Sequence, residues 1–150
     1  MNRIRCIAVL LALSGCASPP PPPPPPVLTL NIIGTAGQNP NASGQGNTVP
    51  VQIYQLAATG KFQSTDVYSL MGQEAAVLGT DEAGSSEQFL LAPGQSLHET
   101  IPLKPNVSSI GIAVLFRDVN HSTWRLVAPA AANGPTVLTL HISGLTAALK

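Results

Sequence analysis

Asp118, His121 and Ser122 lie within one short stretch and supply the carboxylate, imidazole and hydroxyl that a nucleophilic hydrolase uses. Such groups reach their working angles by converging from separate segments, so a cluster inside one turn reads as capping and turn chemistry. His98 and His141 are each at least 20 positions from the next histidine. Metal ligands gather at short spacings, so the three histidines read as surface or turn residues and no metal site is expected. The acidic pair Asp81-Glu82 reads as solvated loop charge. The chain has no G-x-S-x-G elbow, H-E-x-x-H helix, glycine-rich phosphate loop or C-x-x-C pair. Neither an enzyme activity nor a cofactor nor a small-molecule substrate is expected. Trp124 beside Arg125 can be a binding hot spot or a core aromatic with a snorkelling cation; the second reading is favoured.

One thiol stands in a context of its own. Arg3 and Arg5 precede a short apolar stretch, Cys6 to Leu13, followed by Leu13-Ser14-Gly15-Cys16. A basic start, a short apolar run and small residues make a secretory signal; a spanning helix needs about 20 apolar residues. The four residues ending at Cys16 resemble the bacterial lipobox, in which the thiol is alkylated by diacylglycerol, the signal is cut before it and the new amine is acylated. The alternative is an ordinary cleaved signal with a free cysteine nearby. Ala17 stands where an aspartate would retain the protein at the inner membrane, so the outer membrane is expected, with the domain facing the periplasm. One acyl chain binds membranes marginally, and each further buried methylene adds about 0.8 kcal/mol.

Eight prolines, Pro19 to Pro26, follow. Polyproline II rises about 3.1 Å per residue, so they read as a stiff spacer of roughly 25 Å; a plain low-complexity linker and a ligand for a proline-binding module are the other readings. The chain thus divides into a signal (1–15), a lipidated cysteine with a stalk (16–26) and a domain (27–150). Without Arg3 and Arg5, five basic residues face seven acidic ones, a net of −2. No basic patch for nucleic acid exists. With Cys6 discarded and Cys16 lipidated, no disulfide is available. The domain must stand on its core, burying roughly two-thirds of its unfolded surface, under a surface of few charges, which make up 9% of the chain.

Hydrophobic period predicts the elements that hold these groups. Val27 to Ile33, ending at Gly34, reads as a strand. Thr35 to Thr48 has no large apolar residue, reads as a polar loop and is expected to bury nothing. Val49 to Leu56 puts Val49, Val51 and Ile53 on one face and Tyr54 and Leu56 on the other, a strand buried on one side and partly covered on the second. Ser64 or Asp66 can cap one or two short helices over residues 65–77. Gln88 to Leu91, the turn Ala92-Pro93-Gly94-Gln95 and Ser96 to Leu103 read as a hairpin with a type II turn. Ser109 to Phe116 reads as a central strand, and Ser122 to Val127 and Thr136 to Ile142 as two more. Seven to eight short strands with a small helical insertion after the second make an all-β sandwich.

Several blocks together carry a resemblance. Pro50-Val51-Gln52-Ile53-Tyr54-Gln55-Leu56, then Phe62, Asp66 and Leu70, then Leu91-Ala92-Pro93-Gly94, then Gly111 to Asp118 with Thr123-Trp124-Arg125, are similar in order and spacing to the TssJ (SciN) lipoprotein family of the type VI secretion system. The resemblance covers residues 28 to about 142. It implies a transthyretin-like β-sandwich whose partner is the periplasmic C-terminal domain of TssM, and through it TssL, within a membrane complex. It also implies that the partner is met by the loop between the first two strands, here Thr35-Ala36-Gly37-Gln38-Asn39-Pro40-Asn41-Ala42-Ser43-Gly44-Gln45-Gly46-Asn47-Thr48. A long polar loop is itself a binding signal, a disordered connector being the plainer reading. This copy departs from the family in its octaproline stalk and charge-free loop, so loop contacts would be made by backbone and amide groups. An envelope glycan- or peptide-binding module is the alternative function, disfavoured because few aromatics are free of core positions.

Overall fold

Strict alternation along the first strand decides where it lies. Leu28, Leu30 and Ile32 are fully buried while Thr29 and Asn31 face outward, the pattern of a strand with one face on a core. The computed structural model describes residues 19–150, so the signal and Cys16 lie outside the described residues. The strands are β1 (Val27–Gly34), β2 (Val49–Leu56), β3 (Glu87–Leu91), β4 (Ser96–Pro102), β5 (Ser109–Val114), β6 (Arg125–Pro129), β7 (Pro135–Ser143) and β8 (Thr146–Leu149). They form two four-stranded sheets, in the orders β4-β1-β7-β8 and β3-β2-β5-β6. β1 is antiparallel to β4 and parallel to β7.

Between the sheets, Leu28, Leu30 and Ile32 meet Val51, Ile53, Ile110, Ile112, Leu140 and Ile142 in one apolar cluster. The outer face of the second sheet is apolar too, and helices α1 (Gly60–Ser64), α2 (Val67–Gly72) and α3 (Glu74–Leu78) cover it. Tyr54, Leu56 and Ala113 on the strands pack there with Phe62, Leu70 and Leu78. Helices of five or six residues do not stand alone in water; tertiary packing holds them. Gly111 makes room, since a Cβ there would lie 2.9 Å from Leu56 Cδ1 and 3.0 Å from Phe62 Cζ.

Several expectations are corrected. The segments flanking Ala92-Pro93-Gly94-Gln95 do not form a hairpin: Leu91 pairs with Val49 in one sheet and Ser96 with Ile33 in the other. The turn itself forms, with Gly94 at φ +72° and Gln95 N–H donating to Ala92 O at 3.0 Å. Turn chemistry reverses the chain without choosing the partner of either strand. Helix α1 precedes the expected helical span, and Asp66, not Ser64, caps α2 by accepting from Tyr68 and Ser69 N–H at 3.0 Å each. The sixth strand starts at Arg125 instead of Ser122.

Trp124 is half-buried and touches both apolar clusters, which agrees with the core reading. Arg125 does more than snorkel. Its guanidinium stacks 4.2 Å from the Trp124 ring centroid and donates to Gln63 O and Thr65 O, at the end of α1. It therefore ties the helical layer to edge strand β6.

Asp81 and Glu82 are not solvated loop charge. Asp81 Oδ2 accepts from Lys61 N–H at 3.1 Å, at the start of α1, and its carbonyl accepts from Ala57 N–H at 2.8 Å. Glu82 is half-buried near Glu74, whose Oε2 accepts from Ser86 Oγ at 2.8 Å. Burial first, then the hydrogen bond and charge of Glu74, push the Glu82 carboxyl up to about 7 from an ordinary 4.5. A folded-state pKa above the unfolded one means that the fold favours the protonated acid. That stability is fully present below pH 4.5 and is lost as pH rises through 7. Urea denaturation from pH 4.5 to 8 should show falling stability over this window, and Glu82→Gln should flatten the fall.

Candidate functional site

Gly34 stands at the end of β1, where a Cβ would sit 2.0 Å from Gln38 Oε1 and 2.7 Å from Leu91 Cδ2 and would force both side chains to move. Its N–H donates to Gln95 O at 2.9 Å, and Thr35 N–H donates to Ile142 O at 3.0 Å. The chain then folds back on itself. Gln38 is fully buried, and its Nε2 donates to Leu91 O at 2.7 Å. Asn39, 2% exposed, takes φ +47°, a left-handed conformation that asparagine tolerates better than most residues. Its Nδ2 donates to Thr48 O at 2.9 Å, its Oδ1 accepts from Arg117 N–H at 2.8 Å, and its own N–H donates to Gly144 O at 2.7 Å. One amide residue thus joins the loop to the start of β2, the β5–β6 connection and the β7–β8 turn.

The loop therefore does bury part of itself, contrary to expectation, and it does so with polar groups. The Asn39 amide is tolerated there because its hydrogen bonds are made, and the Gln38 amide donates through Nε2 while its buried Oε1 is left without a partner. Beyond Pro40, Asn41 Oδ1 accepts from Ser43 N–H at 2.9 Å and Gln45 N–H at 3.0 Å. Asn41 N–H donates to Gln45 O at 2.9 Å, with Gly44 at φ +77°. Gly46 returns the chain close to its start, where a Cβ would come 2.0 Å from Ala36 O. Asn47 N–H donates to Gln38 O at 3.0 Å. Ala42, Ser43, Gly44 and Gln45 form the exposed tip, and Thr35, Ala36, Gly37 and Thr48 are also exposed. The base is fixed and the tip faces solvent.

Beside the tip runs an open groove of about 350 Å³, lined by Pro40, Asn41, Ala42, Arg117, Asp118 and Leu145. Arg117 is exposed, and its guanidinium has no hydrogen-bond or ion-pair partner among the described residues. A charge-free loop thus acquires a cation and a carboxylate from a segment more than 70 positions away. Across Arg117 lie Tyr68 and Met71 of α2, 68% and 56% exposed. No sequence spacing links any of the three to the loop, and Tyr68 points outward although most of the aromatics are expected at core positions.

The other expected residues do not gather. His98 Nδ1 lies 2.7 Å from Asn31 Oδ1 on the outer face of the first sheet, and His141 lies on β7 of that sheet. His121 Nδ1 is 2.8 Å from Asp118 Oδ1, but Ser122 Oγ donates to Val119 O at 2.9 Å, so this cluster is turn chemistry. No three His, Cys, Asp or Glu residues among the described residues are grouped to hold a metal. Asn39→Ala should cost about 1–3 kcal/mol in urea denaturation, because it strips buried partners from Arg117 N–H and Thr48 O. Ser43→Ala at the tip should change stability by less than about 0.5 kcal/mol.

Comparison with curated proteins finds no match. Among solved structures, the crystal structure of the T6SS lipoprotein TssJ1 from Pseudomonas aeruginosa is 23% identical, covering 85% of this chain and 96% of its own, with a TM-score of 0.81. A chain of a type VI membrane complex is 29% identical, covering 83% and 98%, with a TM-score of 0.75. A chain from the structure of the T6SS protein TssM C-terminal domain from EAEC is 29% identical with the same coverage and a TM-score of 0.68. The family model T6SS-SciN, described as type VI secretion lipoprotein, VasD, EvfM, TssJ, matches residues 26–145, nearly the whole sandwich with its loop, helices and groove. The chain belongs to this family of type VI secretion lipoproteins.

Proposed function

We propose that the protein tethers the type VI membrane complex to the outer membrane, held there by lipid on Cys16 and binding the periplasmic C-terminal domain of TssM through the loop Thr35 to Thr48, with TssL joined through TssM. One observation carries this reading. The loop is built on a fixed base with an exposed tip, at the end of the sandwich opposite the proline segment. At that far end Pro26 O accepts from Leu103 N–H and Pro24 O from Gly134 N–H, both at 3.1 Å. A tether needs its two attachments apart, and a proline segment and an exposed loop at opposite ends of the sandwich suit that role. The similar chains in a type VI membrane complex and in a structure of the TssM C-terminal domain support the choice of partner.

A pre-ordered loop suits binding. Its amides are already fixed, so less conformational entropy is lost on association than for a mobile segment. The tip offers backbone groups and small side chains, while Arg117 supplies a guanidinium of the kind enriched at interface hot spots. The partner face is then expected to carry a carboxylate opposite Arg117 and an apolar surface opposite Tyr68 and Met71.

Calorimetric titration of the Cys16→Ser chain against the periplasmic domain of TssM tests the partner. Binding should be seen and should be lost when Ala42 to Gln45 is replaced by a two-glycine turn; no binding by the correctly folded chain would refute the assignment. The anchor is checked separately by labelling cells with radioactive palmitate. The wild-type chain should take up label and fractionate with the outer membrane, and Cys16→Ser should do neither; an unlabelled wild type would exclude the lipid anchor.

A further inference from the structure

The proline segment does not reach β1 through a free hinge. Besides the two hydrogen bonds from Leu103 and Gly134, Val27 N–H donates to Gly134 O at 3.0 Å. Gly134 holds φ +71°, and a Cβ on it would come 3.7 Å from Pro24 Cγ. Pro24 to Pro26 are thus laid between the end of β4 and the start of β7, in line with β1. The free part of the stalk is Pro19 to Pro23, roughly 15 Å at about 3.1 Å per residue.

From there β1 runs through the middle of its sheet, in register with β4 at seven positions and with β7 at eight. It ends at Gly34, where the loop begins. Stalk and loop therefore leave opposite ends of one strand, roughly 25 Å apart at about 3.3 Å per residue. A fully extended chain spans at most about 3.3–3.6 Å per residue, and a strand already rises nearly that far. A pulling force speeds unfolding only through the length gained along its direction. Between the stalk and the near side of the loop almost no length is left to gain. Between the stalk and Lys150 nearly the whole chain is folded slack.

We propose that β1 makes this domain a tension link: a pull between the proline segment and the loop travels along one extended strand and leaves the surrounding fold unloaded. The physiological use of such a link rests on the loop being the partner's seat, whereas the mechanical property stands on topology alone. The ladders on both sides of β1 then keep the strand in register instead of resisting the pull in series.

Constant-force tweezers on the full chain test this, with Cys6→Ser and Cys16→Ser to remove native thiols. One handle sits at Pro20→Cys, and the other at Gly37→Cys, where a side chain meets open space, or at Lys150→Cys. Ala36→Cys, also exposed, serves as a second loop handle should Gly37→Cys disturb the turn. The logarithm of the unfolding rate should climb steeply with force for the 20–150 pair. For the 20–37 or 20–36 pair its slope should be several-fold shallower. Equal slopes for the two axes would overturn the proposal. Because no partner is present, a failure here is separate from a failure of the TssM titration.

Discussion

β1 is paired with β7 along its whole length and with β4 from Val27 to Ile33, and the two ends of the molecule depend on that one constraint. Its inward residues, Leu28, Leu30 and Ile32, are fully buried against the opposite sheet, so a slip by one residue would turn all three to solvent. Register fixed in this way also fixes where the strand stops. At one end Val27 meets Gly134, and at the other Gly34 and Thr35 meet Gln95 and Ile142. The stalk is aimed by the first set of contacts and the loop is started by the second. Asn39 completes the second end by joining three connections that belong to both sheets.

The second sheet solves a different problem. Its outer face is apolar and would be exposed without α1, α2 and α3, which are too short to persist alone. Gly111 and Ala113 leave space on β5 that Phe62 and its neighbours fill, and Arg125 binds the end of α1 to the edge strand. Covering the sheet also brings Tyr68 and Met71 beside Arg117. The helical insertion thereby closes a core on one side and extends the exposed end of the sandwich on the other.

Alternation is a local signal, so β1 and β2 lie where their period places them, whereas the four-residue β8 was too short to show one. The loop was legible as a loop from its glycines and amides. Its internal order was not, since Gln38 and Asn39 are buried by hydrogen bonds to Leu91, Thr48, Arg117 and Gly144, and such pairings leave no periodic trace. The same limit produced the false hairpin, where a well-formed turn joins strands that take partners in different sheets. The place of Arg117, Tyr68 and Met71 beside the loop was not legible, because the fold and not sequence spacing sets them there. Asp81 and Glu82 look like surface charge in any composition and become structural only when the chain ends around α1 and α3 converge.

Under the proposed function the two ends of β1 divide the labour, one joined to the anchor and one facing the partner. Amide hydrogen exchange of the chain with and without the periplasmic domain of TssM reads this division at each end separately. Added protection is expected at residues 35–48 and 115–121, with none at Leu103 to Ser108 or Ala130 to Gly134 around the stalk. Protection at the stalk end, with the loop unchanged, would place the partner at the wrong end of β1 and refute this division.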